Sequence, residues 1–284
     1  MSISQNFQFS QGSLQDYVDC PRRFQLKYVQ QLAWPAVDAE PALENELYLK
    51  QGSAFHRLVQ QYLLGVSAEK LTPLAAQDLQ LARWWENFLN SAKDLAGLTD
   101  TASVERFPEI SLSAPLGRYR LVGKYDLLVI DRTSEPYFTI YDWKTSRKQP
   151  KREWLAANLQ TRVYPYLLTR AGADLNAQNP IAPEKIEMVY WFANFPGAPL
   201  RFPYSPTQCT ADEKFITDLI AEIDTLGDEP APLTDNEKRC RYCVYRSLCN
   251  RGIQAGPFSE AEDEAARDDF DFELDFEQIA EIEF

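Results

Sequence analysis

A chain of 284 residues, 45% hydrophobic and 25% charged, is long enough to bury a sizeable core, as one elaborated domain or two small ones. No apolar run reaches the ~20 residues that cross a bilayer. The polar start MSISQNFQFSQGS has no signal-peptide core, so the expected compartment is the cytoplasm. The net charge of −13 argues against a nucleic-acid partner only until its distribution is seen: twelve acids against one base, Arg267, place −11 of it between Phe258 and Phe284.

In chain order, apolar spacing predicts a helix from Gln11 to Tyr28, capped at Ser13 and broken near Cys20 by Pro21. Trp34 to Glu46 reads as loop. A buried helix follows from Leu49 to Leu64 and carries His56, the only histidine. A second helix is predicted from Leu74 to Leu95, and a first strand from Glu105 to Leu112. Leu121 to Ile130 and Tyr137 to Trp143 are two strands joined by a turn at Asp131, Ser134 and Pro136. Trp154 to Arg170 is helical by periodicity, with Pro165 expected to interrupt it. Strands from Lys185 to Ala193 and Leu200 to Tyr204, a helix from Ala211 to Leu226 and a Pro-rich linker from Glu229 to Leu233 complete the body. Strands and helices alternate without βαβ repetition, which implies an α/β fold with a mixed sheet flanked by helices.

The two central strands hold the residues that a folded core does not need. Asp142 and Lys144 are two apart and share a face of one strand, and the paired strand brings Asp126 beside them. Alone, an Asp-x-Lys pair is an ordinary solvated face, a lone histidine on an apolar helix face is an ordinary core residue, and Gln160 with Tyr164, four apart on a helix, is an ordinary half-buried pair. Two acids and an amine at one spot make a poor core but a good site for a hard divalent cation.

The segments GSAFHRLV around His56, GKYDLLV around Asp126, DWKT at Asp142–Lys144 and QTRVY from Gln160 to Tyr164 occur in an order that resembles the RecB-like branch of the PD-(D/E)XK nuclease superfamily. The resemblance implies a restriction-endonuclease-like fold and phosphodiester hydrolysis at a Mg²⁺ or Mn²⁺ site. It further implies His56, Asp126, Asp142 and the backbone carbonyl of Trp143 as metal ligands, and Lys144 as the catalytic lysine. Gln160 and Tyr164 would contact substrate or steady the site. The chemistry fits: the ion answers the phosphate charge and the departing oxygen, and the amine orients or deprotonates water.

The five cysteines form a second pattern. Cys240, Cys243 and Cys249 crowd into ten residues, Cys20 is a distant fourth, and Cys209 fits no spacing. An odd count disfavours a disulfide framework, and four thiols suit Zn²⁺ or an iron–sulfur cluster. One cysteine near the start and three near the end resemble the [4Fe–4S] staple of AddB-like and CRISPR-associated RecB-like nucleases. That resemblance implies a cluster tying the ends of one nuclease domain, residues 1–257.

Arg147, Lys148, Lys151 and Arg152, with Arg22 and Arg23 beside Cys20, are candidate contacts for a DNA strand, though each alone is ordinary surface charge. The acidic tail, residues 258–284, is expected to be disordered, to dock on a protein partner, to cover the chain's own DNA groove, or merely to solubilise. The reading from sequence is a metal-dependent DNA exonuclease acting on ends or single strands in DNA repair, recombination or CRISPR-type processing. Its rivals are a non-catalytic DNA-binding scaffold on the same fold and a zinc-stapled RNA-processing protein.

Overall fold

In a computed structural model of the chain, the residues described are 3, 4, 6–32, 42–92, 95, 102–241 and 243–252, with 42–46 as backbone only. The acidic tail, and with it the expectation of a docking or self-covering segment, lies outside the described residues. So does most of the predicted loop from Trp34 to Glu46.

The chain begins with a short strand β1 (Gln8–Phe9), helix α1 (Gln11–Asp19), helix α2 (Pro21–Phe24) and a widened π-turn (Gln25–Val29). Cys20 is extended between the two helices, at φ −164°, so the break expected before Pro21 is real. The cap is Ser10 rather than Ser13. Ser10 Oγ accepts from Ser13 N at 3.1 Å while Ser13 Oγ accepts from Ser10 N at 2.9 Å, a reciprocal box that satisfies two donors at the helix start.

Helix α3 (Ala42–Leu63) carries His56, and the single helix predicted from Leu74 to Leu95 is two, α4 (Ala68–Ala75) and α5 (Leu79–Ser91). The break lies at Asp78, whose carboxylate accepts from Gln80 N at 2.8 Å and Leu81 N at 2.9 Å and starts α5 afresh.

Strands β2 (Val104–Leu116) and β3 (Tyr119–Asp131) form a long hairpin around Gly117 and Arg118, with Leu116 opposite Tyr119. Gly117 takes φ +60°, as the first central position of a two-residue turn demands. Next come β4 (Tyr137–Lys144), α6 (Arg152–Ala157), α7 (Leu159–Ala171), β5 (Ile186–Phe192), β6 (Leu200–Pro203), α8 (Pro206–Asp224) and α9 (Glu237–Cys240). Pro165 does not interrupt α7. The break falls at Asn158, whose side chain accepts from Gln160 N at 2.7 Å.

The sheet runs β1-β3-β4-β5-β6, with β2 on the far side of β3. β4 and β5 are parallel neighbours with both faces covered, and they read accordingly as mainly apolar runs, broken in β4 by Asp142 and Lys144 and in β5 by Glu187. One face packs on α1, α7 and α8 through Ile140, Met188, Tyr190 and Leu167. The other packs on α3, α4 and α5 through Tyr141, Trp143, Trp191, Phe55 and Phe88.

Two irregularities of this sheet create the site. β3 is shared: its start pairs with β1 at Arg120–Leu121 and its end with β4 from Leu127 to Asp131, so β4 leaves β3 after Tyr141. The β2–β3 ribbon also swaps faces midway. Tyr125 packs toward α7, yet Leu127 packs toward α3–α5 and Leu128 toward α7 again, which breaks the period of two at Asp126. Glu109 faces that point on β2, at φ +54°, and Glu109 and Asp126 are the one opposed pair missing from the ladder of β2 with β3.

Candidate active site

Asp126 sits where β4 departs from β3. Its Oδ2 accepts from the Trp143 amide at 2.7 Å, replacing the ladder bond that the split removes. Its Oδ1 lies 3.1 Å from His56 Nδ1. A strand residue's N–H and C=O point to the same side, so the Trp143 carbonyl opens toward the same gap.

Asp142 and Lys144 project from β4 toward α7. Lys144 Nζ lies 3.1 Å from Asp142 Oδ2 and donates to Gln160 Oε1 at 2.9 Å, while Gln160 Nε2 donates to Asp142 Oδ1 at 2.7 Å. Gln160 thus closes a ring of three side chains around an acid and an amine. Such a ring makes the buried acid tolerable, because Gln160 donates to one of its oxygens and the Lys144 ammonium lies against the other. Tyr164 lies one turn along α7 from Gln160; its ring packs 4.8 Å from that of Tyr125, whose hydroxyl donates to the Tyr164 carbonyl at 2.7 Å. Gly123 lets α7 approach, since a Cβ there meets Leu167 Cδ2 at 2.9 Å and Tyr164 Cε1 at 3.4 Å.

One acid escaped the sequence reading. Ligand atoms of His56, Glu109 and Asp126 all lie within 4.8 Å of one another, which fits a single divalent cation. An imidazole with two carboxylates suits Mn²⁺ or Mg²⁺ better than a thiophilic metal. Lys124 pairs with Glu109 at 2.5 Å from the ribbon's edge. Asp142 is not among those three, but its charge reaches them. Burial works against the imidazolium of His56, yet Asp126, Asp142 and Glu109 outweigh it and hold the pKa above 6.5. Burial likewise opposes ionisation of Asp126, but His56, the Trp143 amide and Lys144 keep its carboxyl below the usual range.

Burial raises the pKa of Cys240, and Cys243, Cys20 and Cys249 lie near enough for their charges to raise it further. Burial raises the pKa of Cys243 and of Cys249 as well, and the charges of Arg23 and Arg22 offset this only in part. Arg23 is not a surface contact for a strand. It pairs with Asp16 at 2.8 Å and Asp19 at 2.6 Å, beneath the cysteine loop. Cys209 lies apart, 3.9 Å from Thr169 Oγ1. The four basic residues after β4, Arg147, Lys148, Lys151 and Arg152, are exposed; Arg147 lies over the Tyr48 ring at 4.6 Å and Arg152 over the Phe202 ring at 4.5 Å.

No helix among the described residues is long and apolar enough to cross a membrane. No curated protein matches the sequence. Among solved structures, the chain is similar to SSO0001, at 16% identity and TM-score 0.40 over 85% of each chain. It is also similar to a candidate exonuclease of Eubacterium rectale, at 11% identity and TM-score 0.43, over 75% of this chain and 79% of that one. A family model describing the PD-(D/E)XK nuclease superfamily matches residues 8–250, a span that contains every side chain of the site above. The chain belongs to the PD-(D/E)XK nuclease superfamily.

Proposed function

We propose that the protein is a metal-dependent deoxyribonuclease that trims DNA from ends or single strands, as an exonuclease of DNA repair or CRISPR-type processing. The observation that carries this reading is the meeting of His56, Glu109 and Asp126 within 4.8 Å in the gap between β3 and β4. Those three side chains, with the Trp143 carbonyl and Asp142, form the ligand set for Mg²⁺ or Mn²⁺. Bound there, the ion supplies a Lewis acid for the phosphate and lowers the pKa of water.

The chain's own residues do the rest. The Trp143 amide and His56 fix the Asp126 carboxylate, so it meets a cation without reorganising. Lys144 Nζ, held by Asp142 and Gln160, orients the attacking water. Tyr164 acts by keeping α7 and Gln160 in register with β4.

Residues 1–257 act as one nuclease domain, closed by a [4Fe–4S] cluster on Cys20, Cys240, Cys243 and Cys249. What supports this part is that Cys240, Cys243 and Cys249 each lie near enough to Cys20 to feel its charge; burial raises all three thiols, so the bound metal itself would have to draw off their protons. A protein purified without oxygen should be brown and absorb near ~400 nm; a colourless zinc protein would overturn the cluster.

The nuclease reading is tested with end-labelled DNA and Mg²⁺ or Mn²⁺. Asp126→Asn and Lys144→Ala should each abolish release of label while leaving the fold intact by circular dichroism. Undiminished cleavage in both variants, or no cleavage by the wild type with either metal, would leave a DNA-binding scaffold in its place.

A further inference from the structure

Beyond the metal site, a cleft of about 430 Å³ opens between α3, α5 and the segments that follow β4 and β5. Its walls include Tyr48 from α3, Trp84 from α5, Phe195 after β5, and two arginines, Arg83 and Arg147. Among the described residues no acid lines it. The volume falls within the range of small-ligand pockets.

The cleft is built. Tyr48 is 6% exposed and donates from its hydroxyl to Thr145 O at 2.5 Å, pinning the segment that follows Lys144. Asn194 Nδ2 donates to the carbonyls of Thr145 at 3.0 Å and Ser146 at 2.9 Å, while its Oδ1 accepts from Trp84 Nε1 at 2.9 Å. On this fixed floor the Arg147 guanidinium lies 4.6 Å from the Tyr48 ring. The planar cation is therefore backed by an aromatic ring, and Arg147 is nonetheless exposed to solvent. Arg83 is also exposed and makes no ion pair or hydrogen bond among the described residues. A backed planar cation suits the face of a nucleobase, and an unpaired arginine suits a phosphate.

Position ties the cleft to the metal site. Tyr48 precedes His56 by eight residues on α3, about 12 Å along the helix, and Arg147 follows Lys144 by three residues. A strand crossing one site therefore reaches the other within a few nucleotides. A paired base hides both faces in its stack, so the cleft admits an unpaired one.

We propose that this cleft is a subsite for one unpaired nucleotide of the strand being cut, its base on the guanidinium of Arg147 and its phosphate met by Arg83. The assignment rests on the nuclease reading for the identity of the strand as DNA. It places a single-stranded stretch within a few nucleotides of the metal site, and so makes frayed or overhanging ends better substrates than blunt duplex.

The test separates binding from chemistry. Fluorescence anisotropy of labelled dT10 is measured with full-length protein in EDTA, for wild type, Arg147→Ala, Arg147→Lys, Arg83→Ala and the distant control Arg170→Ala. Arg147→Ala should weaken binding roughly five- to hundredfold, the range of one lost stacking contact. Arg147→Lys should recover little of this, because the charge returns without the plane. Arg83→Ala should flatten the salt dependence by roughly one phosphate contact, and Arg170→Ala should bind as wild type does. Variants are compared only where thermal melting matches wild type; Arg147→Lys and Arg83→Ala, exposed changes, keep the test open if Arg147→Ala unfolds.

Unchanged dT10 affinity in both arginine positions overturns the subsite even if the protein cuts DNA. Loss of affinity at both, in a protein that fails to cut, keeps the subsite while removing the nuclease reading. Tighter binding of blunt duplex or of U10 RNA than of dT10 overturns the proposal as stated.

Discussion

Glu109 and Asp126 face one another across β2 and β3 at the single point where the pairing of that ribbon lapses and its side chains change faces. Glu109 holds φ +54° there, a backbone state that costs a non-glycine residue of order 1 kcal/mol or more. Placing two acids at the same point adds repulsion. A bound cation relieves the repulsion, so Glu109→Gln should lower Mn²⁺ affinity by roughly tenfold or more. Isothermal titration with Mn²⁺ measures this, and unchanged affinity would remove Glu109 from the ligand set.

His56 carries the pH dependence. Its folded pKa stands above the unfolded 6.5, so the stabilisation it brings is fully present below pH 6.5 and is lost as pH rises through the raised value. Metal-free protein should therefore lose stability across that window, and His56→Gln should flatten the profile. Divalent metal competes with the imidazolium, so Mn²⁺ affinity should fall as pH drops through the same window. Urea melts between pH 5.5 and 9, with and without Mn²⁺, check both signs.

Much of this site is legible in the sequence, and Glu109 shows what is not. DWKT and GKYDLLV disclose themselves because charges interrupt apolar strands, and the pairing of Asp126 near Asp142 follows from an antiparallel turn. Glu109 sits in a strand of mixed polarity, where an acid signals nothing. The signal that finds it is the turn: Leu-Gly-Arg-Tyr read as a two-residue hairpin sets Leu116 opposite Tyr119, and that register runs on to place Glu109 opposite Asp126. The change of faces at that pair is invisible to periodicity, because both neighbours of Asp126 are apolar whichever way they point. Pro165 misleads for a related reason: local propensity breaks a helix there, but burial of Val163, Tyr164, Leu167 and Leu168 on the sheet carries α7 through it.

Gly123 is a packing glycine. A Cβ would meet Leu167 Cδ2 at 2.9 Å and Tyr164 Cε1 at 3.4 Å. The leucine tip can yield, but Tyr164 is braced on Tyr125. Gly123→Ala should cost about 1–3 kcal/mol in a denaturant melt and should also reduce activity, since α7 brings Gln160 to Lys144. A melt within 0.5 kcal/mol of wild type would contradict this account of α7.

Residues near the two ends of the described chain are joined by hydrogen bonds. Gln25, 1% exposed, donates to the Glu229 carbonyl at 2.8 Å and accepts from the Ala231 amide at 2.9 Å, stitching the π-turn to the Pro-rich linker. Gln25→Ala leaves those backbone groups buried without it and should cost about 1–3 kcal/mol. It should also expose the linker near Ala231 to limited proteolysis. Cutting no faster than in wild type would show that the linker is held by other contacts.

The account stands on one cation shared by a helix and two strands, and the chain offers a direct view of it because His56 is its only histidine. Untagged protein is labelled with ¹⁵N only in histidine, loaded with Mn²⁺, and examined by pulsed electron paramagnetic resonance. A ¹⁵N coupling of directly bonded strength, absent in His56→Gln and weakened with the Mn²⁺ affinity in Glu109→Gln and Asp126→Asn, is the predicted result. Stoichiometric Mn²⁺ bound with no ¹⁵N coupling at all would contradict it.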